Sequence, residues 1–260
     1  MLLGRKKEIA WLRDHWRDVT GHNGVAAGPR VVVLLGETGL GKSAIVQGFF
    51  ESLRGDPDWG SGDPPYWGTM RSAPGAEMRF FPTVHEPDGD VLPRFLWLGV
   101  RWALPDARNR REASSELPQL RAQVDAHLES LYRRIPRWKA RMGAVVDDAR
   151  EGKLRWAGGI ALKLLASTLL PAAVGLAADG ISAMLKGSSE DRLQPVDDVL
   201  RRLRLGSGTE RQRLPVILWL DDAQWMDGEV LDFVRRLLDE AHRVSWPLLV
   251  IATHWKGSGG

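Results

Sequence analysis

The sequence predicts an α/β fold in which a mostly parallel sheet lies between layers of helices. Four short apolar segments alternate with segments of helical periodicity, at residues 30–35, 95–103, 216–220 and 247–253. The first shows no polar alternation, so we expect a strand buried on both faces, as parallel strands are. Because ligands of such sheets bind at the carboxyl ends of the strands, the residues that end these segments are the first candidates for a site.

Composition sets the class of protein. The 260 residues are 43% hydrophobic and 27% charged, which is typical of a globular domain with a sizeable core. There is no cysteine, which excludes disulfides and thiolate metal sites and fits a reducing compartment. The chain leads from Met1 straight into a charged helix, so we expect no signal peptide and a cytoplasmic location. A net charge of +3 does not by itself argue for nucleic acid.

Residues 1–103 contain two predicted helices and two predicted strands. Apolar residues recur at helical spacing between residues 5 and 19, and a second helix is expected over 42–53. Between them lies the first strand, 30–35. Residues 55–93 are rich in Pro and Gly and are expected to be mostly irregular. The second strand, 95–103, ends before Pro105.

A helical insertion is predicted at residues 106–190. Residues 116–150 have helical periodicity that Pro136 interrupts. Residues 156–186 are small and apolar, but their longest uncharged run, 164–178, is shorter than the ~18 residues that a membrane span needs. We therefore expect a buried helical hairpin that turns near Pro171, and no membrane span.

The last quarter returns to alternating helices and strands. A short amphipathic helix is predicted over 196–205, a strand over 216–220, a helix over 228–242 and a strand over 247–253. Asp227 precedes the third of these elements and is its expected N-cap.

A phosphate-binding motif follows the first strand. Gly36, Gly41, Lys42 and Ser43 occupy the fixed places of G-x-x-x-x-G-K-[ST]. In such a loop the glycines let backbone N–H groups face a polyphosphate, the lysine reaches the β- and γ-phosphates, and the Ser hydroxyl binds Mg²⁺. The predicted phosphate-binding residues are Gly36, Glu37, Thr38, Gly39, Leu40, Gly41, Lys42 and Ser43.

Two carboxylates end the third predicted strand. A magnesium nucleotide site needs a carboxylate for the ion and a group that orients the attacking water. Asp221 and Asp222 can divide these tasks, with Asp221 toward Mg²⁺ and Ser43, and Asp222 toward the water. Thr253, at the end of the last strand, is a candidate sensor of the γ-phosphate. The predicted catalytic residues are therefore Lys42, Asp222 and Thr253, and the predicted metal-binding residues are Ser43 and Asp221.

Other classes of site lack their signatures. The chain has no Asn-Lys-x-Asp motif of a GTPase and no Leu-Ser-Gly-Gly-Gln signature of an ABC ATPase. The spacing in the sequence does not fit a metal site for His85, His242 and His254. The sequence also lacks the nucleophile-elbow motif that would indicate Ser-His-Asp catalysis.

Four blocks of the sequence carry a resemblance to a known family. The phosphate loop, together with Leu218–Asp227 (LWLDDAQWMD), resembles the STAND class of signal-transduction ATPases and the related AAA-type ATPase domain of bacterial regulators. The opening Leu3–Glu8 is similar to the Gly-Arg-x-x-Glu start of that family, which packs near the adenine; Gly4 and Arg5 match it. Pro247–His254 resembles its sensor strand.

The resemblance implies a P-loop ATPase domain that binds ATP and Mg²⁺, hydrolyses ATP slowly and switches between closed and assembled states. Its implied partners are copies of itself, or effector and sensor domains of a longer chain. The family's Arg two residues after the sensor-strand Thr is replaced by Trp255. We also expect the module to continue past residue 260 with a further strand, an arginine finger and a helical lid, so the fragment alone should be a weak ATPase.

Two alternatives remain open at the level of sequence. Residues 101–155 hold 13 Lys or Arg against 8 Asp or Glu, which would suit a nucleic-acid-associated initiator or loader ATPase that uses Arg133, Arg134 and Arg137. The other is a non-hydrolysing, ATP-held scaffold with peripheral membrane contact through 156–186.

Overall fold

The structure is a computed structural model that describes residues 4–22, 24, 27–60, 65–70, 80–85, 92–102, 116–131, 195–209 and 212–256. Within these ranges the elements, in chain order, are α1 Lys6–Val19, β1 Arg30–Gly36, α2 Lys42–Arg54, β2 Leu96–Arg101, α3 (residues 117–131), α4 Pro195–Gly206, β3 Gly208–Thr209, β4 Gln212–Arg213, β5 Val216–Asp221, α5 Gly228–Arg243 and β6 Leu248–Trp255. A single 3₁₀ turn, Ala223–Trp225, links β5 to α5.

A four-stranded parallel sheet organises the described residues. Its strand order is β1-β6-β5-β2, and every neighbouring pair is parallel. The predicted α/β fold with helices on both faces is therefore confirmed. Strands β3 and β4 form a separate two-stranded antiparallel ribbon. In the main sheet Gly36 is in register with Trp255, and Arg101 with Asp221, so all four carboxyl ends meet at one edge.

Each face of the sheet has its own core. On one face Leu98, Leu218 and Val250 pack in a cluster that includes Phe233 and Leu237 of α5. On the other face Trp97 and Trp219 pack with Phe49 and Phe50 of α2 and Trp16 of α1. The side chains of Trp97 and Trp219 form an edge-to-face pair, with 6.4 Å between ring centroids. Helix α2, which starts at the phosphate loop, is thereby fixed against β5 and β2.

The free edge of β2 is covered by a side chain of α3. The Gln123 amide donates to the Gly99 carbonyl oxygen at 2.6 Å and accepts from the Gly99 N–H at 2.8 Å. Both backbone groups that an edge strand would leave unpaired at this point are therefore satisfied. A Cβ at position 99 would lie 2.1 Å from Phe81 Cε1, so the close approach of the 80–85 segment requires glycine there.

The expectation that β1 is buried on both faces is wrong. Val31, Val33 and Leu35 are 51%, 48% and 65% exposed. They belong to the face that α5 covers, but the described helices of that face pack over β2, β5 and β6, and no β1 residue joins their core. An apolar run in the sequence identifies a strand, but it does not specify how far the helices extend across the sheet.

Helices α3 and α4 are joined through a largely buried arginine. Arg202 donates to Asp198 Oδ2 and to Asp125 Oδ1, each at 2.9 Å. Arg201 also donates to Asp198, at 3.2 Å. Burial raises the pKa of Asp198, but the hydrogen bonds from the two arginines outweigh it and hold this pKa below its usual range.

Most of the predicted insertion lies outside the described residues. This holds for the interruption at Pro136, the hairpin over 156–186 and the basic residues Arg133, Arg134 and Arg137. Residues 117–131 are helical, in agreement with the helical periodicity predicted from residue 116. In the part of the chain that the structure describes, no helix is both long enough and apolar enough to cross a membrane.

Candidate functional site

The phosphate loop joins the carboxyl end of β1 to the first turn of α2. Gly39 and Gly41 have φ angles of 83° and 77°, a left-handed backbone that other residues adopt with strain. Gly41 is also the N-cap of α2, and no acidic residue lies in the first turn of that helix. Glu37, Thr38 and Leu40 are exposed. The loop therefore presents an accessible helix N-terminus, where free N–H groups and the helix dipole favour an anion.

Lys42 folds over this loop. Its Nζ donates to the carbonyl oxygens of Gly36 and Glu37, each at 2.9 Å. These two bonds hold the ammonium at the mouth of the loop. Phosphate oxygens could exchange with the carbonyls as acceptors at little geometric cost, because the lysine has three rotatable donors.

The N-terminal segment also touches the loop. Arg5 donates to the Leu40 carbonyl oxygen at 2.7 Å and to Glu8 at 2.8 Å. Gly4, just before it, has a φ of 98°. The predicted Gly4-Arg5 pair is thus adjacent to the phosphate loop, 35 positions away in sequence.

Ser43 and Thr253 converge on one carboxylate. The Ser43 hydroxyl donates to Asp221 Oδ1 at 2.9 Å, and the Thr253 hydroxyl donates to the same oxygen at 2.7 Å. Asp221 and Thr253 are both fully buried. Asp221, at the end of β5, is therefore linked to the end of β1 through the phosphate loop and to the end of β6 through Thr253.

The second oxygen of Asp221 has no hydrogen-bond partner among the described residues. Oδ2 is buried, and it forms an ion pair with Arg101, whose Nε lies 3.7 Å away. Burial raises the pKa of Asp221, and the hydrogen bonds from Thr253 and Ser43 offset this only in part. A buried carboxylate oxygen without a donor, beside a Ser hydroxyl, fits the oxygen-rich surroundings that Mg²⁺ requires.

Asp222 has an unusual backbone conformation. Its φ and ψ are 57° and 45°, a left-handed conformation that costs a non-glycine residue of the order of 1–2 kcal/mol. Its N–H donates to the Thr253 hydroxyl oxygen at 2.9 Å. Thr253 therefore joins the two aspartates by donating to one and accepting from the other, and this turns the chain sharply after β5.

Within the described ranges, no group of three or more His, Asp or Glu side chains is placed to hold a metal ion.

The structure brings the predicted residues together around two neighbouring features. Gly36 to Ser43, with Gly4 and Arg5, form the loop side, and Asp221, Asp222 and Thr253 form the strand-end side. Sequence reasoning missed Arg101, which it assigned only to a basic region. The signal was available, since Arg101 is the first charged residue after the apolar run of β2, as Asp221 is after that of β5.

The parallel sheet, the phosphate loop and the carboxylate bonded to its serine define an α/β P-loop nucleoside-triphosphate-binding fold. The chain also matches the family model described as AAA ATPase domain over residues 1–251. It therefore belongs to the AAA ATPase domain family, whose members bind ATP. No curated protein matches the chain.

Proposed function

We propose that this chain is the ATP-hydrolysing switch domain of a multidomain signalling or regulatory ATPase of the STAND type. The observation that carries the proposal is the 2.9 Å hydrogen bond from Ser43 to Asp221, which joins the phosphate loop to a strand-end carboxylate. A phosphate loop alone is consistent with any bound phosphate. A loop serine against a buried aspartate supports a magnesium-bound nucleotide.

Different groups of the loop bind different parts of the nucleotide. The backbone N–H groups of the loop, from Gly36 to Ser43, cradle the phosphates, and Lys42 transfers its donors from the loop carbonyls to the β- and γ-phosphates. Ser43 and Asp221 hold Mg²⁺. When bound, this ion neutralises charge on the β- and γ-phosphates.

Asp222 orients the attacking water. It follows the metal carboxylate directly, and its backbone N–H is fixed by Thr253. The left-handed backbone of Asp222 ends the strand at this residue, so Asp222 does not continue the side-chain alternation of β5. Thr253 holds both aspartates through its hydroxyl. Through them it would sense whether a γ-phosphate is bound.

ATP, rather than GTP, is the proposed nucleotide. The family matched over residues 1–251 supports ATP, and no GTPase base-reading motif occurs in the sequence. Gly4 and Arg5 are the proposed residues near the adenine, which is supported by the hydrogen bond from Arg5 to Leu40 of the phosphate loop. The proposed partners are other copies of this domain, or effector and sensor domains of a longer protein.

Isothermal titration calorimetry with Mg-ATP tests the binding site. Lys42→Ala should weaken binding by about 100-fold, because a charged donor to two phosphates is lost. Arg235→Ala, an exposed residue of α5, is the matched control and should bind like the wild type. Equal affinities for the wild type and Lys42→Ala would contradict the proposal.

A further inference from the structure

Arg101 lies at the carboxyl end of β2, in register with Asp221 at the end of β5. Its Nε is 3.7 Å from Asp221 Oδ2, while Ser43 binds the other oxygen of the same carboxylate. Asp221 is thus bracketed by the phosphate-loop serine on one side and by a guanidinium on the other. Arg101 has no role in the proposed function.

No described residue accepts a hydrogen bond from the Arg101 guanidinium, which is held by other contacts. A distance of 3.7 Å is too long for a hydrogen bond, so the contact with Asp221 is only electrostatic. The Arg101 Cζ lies 4.3 Å above the ring of Phe80, which in turn stacks on the buried Trp219. A cation–π contact of this kind fixes the plane of the group and leaves its N–H fork open. The side chain is 53% exposed, so an anion can reach it.

We propose that Arg101 is a binding residue for the terminal phosphate of ATP. This inference rests on the proposed function, since it requires a magnesium nucleotide at Ser43 and Asp221. The phosphate loop binds the inner phosphates and Lys42 the β- and γ-phosphates, while Ser43 of the loop donates to Asp221 at 2.9 Å. A magnesium ion held by Ser43 and Asp221 would lie against the β- and γ-phosphates. Arg101, whose Nε is 3.7 Å from Asp221 Oδ2, would then lie on the side of the terminal phosphate.

The change of partner follows from charge. Before nucleotide binds, Arg101 partly neutralises a buried carboxylate, which would otherwise be costly to keep charged. With a divalent cation held at Asp221, the carboxylate would no longer need Arg101 as its counter-ion, and the guanidinium would be repelled from that side. The planar fork of arginine matches two phosphate oxygens, so the terminal phosphate becomes its better partner. ADP lacks this phosphate, and Arg101 therefore contributes to the distinction between ATP and ADP.

The experiment compares affinities for Mg-AMP-PNP, a non-hydrolysable ATP analogue, and Mg-ADP, each measured by calorimetry on the 260-residue chain. Arg101→Gln should weaken AMP-PNP binding by about tenfold and leave ADP binding within about twofold of the wild type. Arg101→Lys keeps the charge but loses the fork, and should lie between the two. Arg235→Gln on α5 is the control for removal of an exposed arginine. Circular dichroism confirms that each variant is folded.

The outcomes separate this inference from the proposed function. If the wild type binds neither nucleotide, the proposed function fails and the inference fails with it. If the wild type binds both and Arg101→Gln keeps the wild-type ratio of the two affinities, only the role of Arg101 is overturned. Equal weakening, or equal strengthening, of both nucleotides would also overturn it, because Arg101 would then act only as a structural residue or as a counter-ion of Asp221.

Discussion

The Ser43 hydroxyl donates a 2.9 Å hydrogen bond to Asp221 Oδ1 across 178 positions of the sequence. One partner opens α2 and the other ends β5, so the bond connects the phosphate loop to the opposite half of the site. Asp221 is fully buried, and among the described residues only Ser43 and Thr253 donate hydrogen bonds to its carboxylate.

Ser43→Ala should remove most of the benefit of magnesium for nucleotide binding. We expect affinity for ATP in the presence of Mg²⁺ to fall by about tenfold, because one ligand of the ion is lost, and affinity in EDTA to change little. Calorimetry with and without Mg²⁺ measures the difference. Ser52→Ala is the control, since Ser52 lies on the same helix and donates only to Phe49. A loss of the same size in EDTA would contradict the assignment of Ser43 to the metal.

Asp222→Asn should keep binding and slow turnover. We expect ATP affinity within a few-fold of the wild type and phosphate release reduced by about 100-fold, because the amide cannot accept a proton from the attacking water. A phosphate-release assay measures turnover. Asp239→Asn, at an exposed position of α5, controls for the loss of an acidic group. Unchanged turnover in Asp222→Asn would remove this residue from the chemistry.

Thr253→Val should destabilise the fold by about 1–3 kcal/mol. The substitution conserves volume but removes the donor to Asp221 and the acceptor of the Asp222 N–H. Urea denaturation measures the free energy of unfolding. Thr38→Val, at an exposed position of the phosphate loop, is the control and should cost no more than about 0.5 kcal/mol. If Thr253→Val were as stable as the wild type, the threonine would not be a structural link between the two aspartates.

Asp198→Asn should change how the free energy of unfolding depends on pH. The pKa of Asp198 is lowered in the folded protein, so its contribution is complete above the unfolded value of about 3.9 and is lost as the pH falls below that value. At pH 7 the variant should be less stable by about 2 kcal/mol. Below about pH 4 the difference should shrink.

Urea denaturation at several pH values measures this difference. Asp14→Asn, whose carboxylate is 68% exposed, is the control and should match the wild type throughout. A deficit of Asp198→Asn that stayed constant down to pH 2 would show that the contribution does not depend on the charge of the carboxylate.

The elements of the fold could be predicted because each rests on local information. Helix α5 begins where Asp227 was expected to cap it, and the Asp227 side chain accepts from the N–H groups of Glu229 and Val230. Gly41 occupies a fixed place of the phosphate-binding motif, and its backbone is left-handed, as is that of Gly39. The rule that parallel strands present their ends at one edge then brought Asp221 and Thr253 to the loop.

What the sequence by itself determined is therefore the strands, the motif and the edge of the sheet at which they meet. The tertiary structure decided which strand ends are neighbours. Arg101 lies beside Asp221 because β2 pairs with β5, and Val31 is exposed because the described helices of its face do not reach β1. Strand order and the coverage of a sheet depend on how distant elements pack, and hydrophobic periodicity contains no information about which distant segment lies next to a given strand.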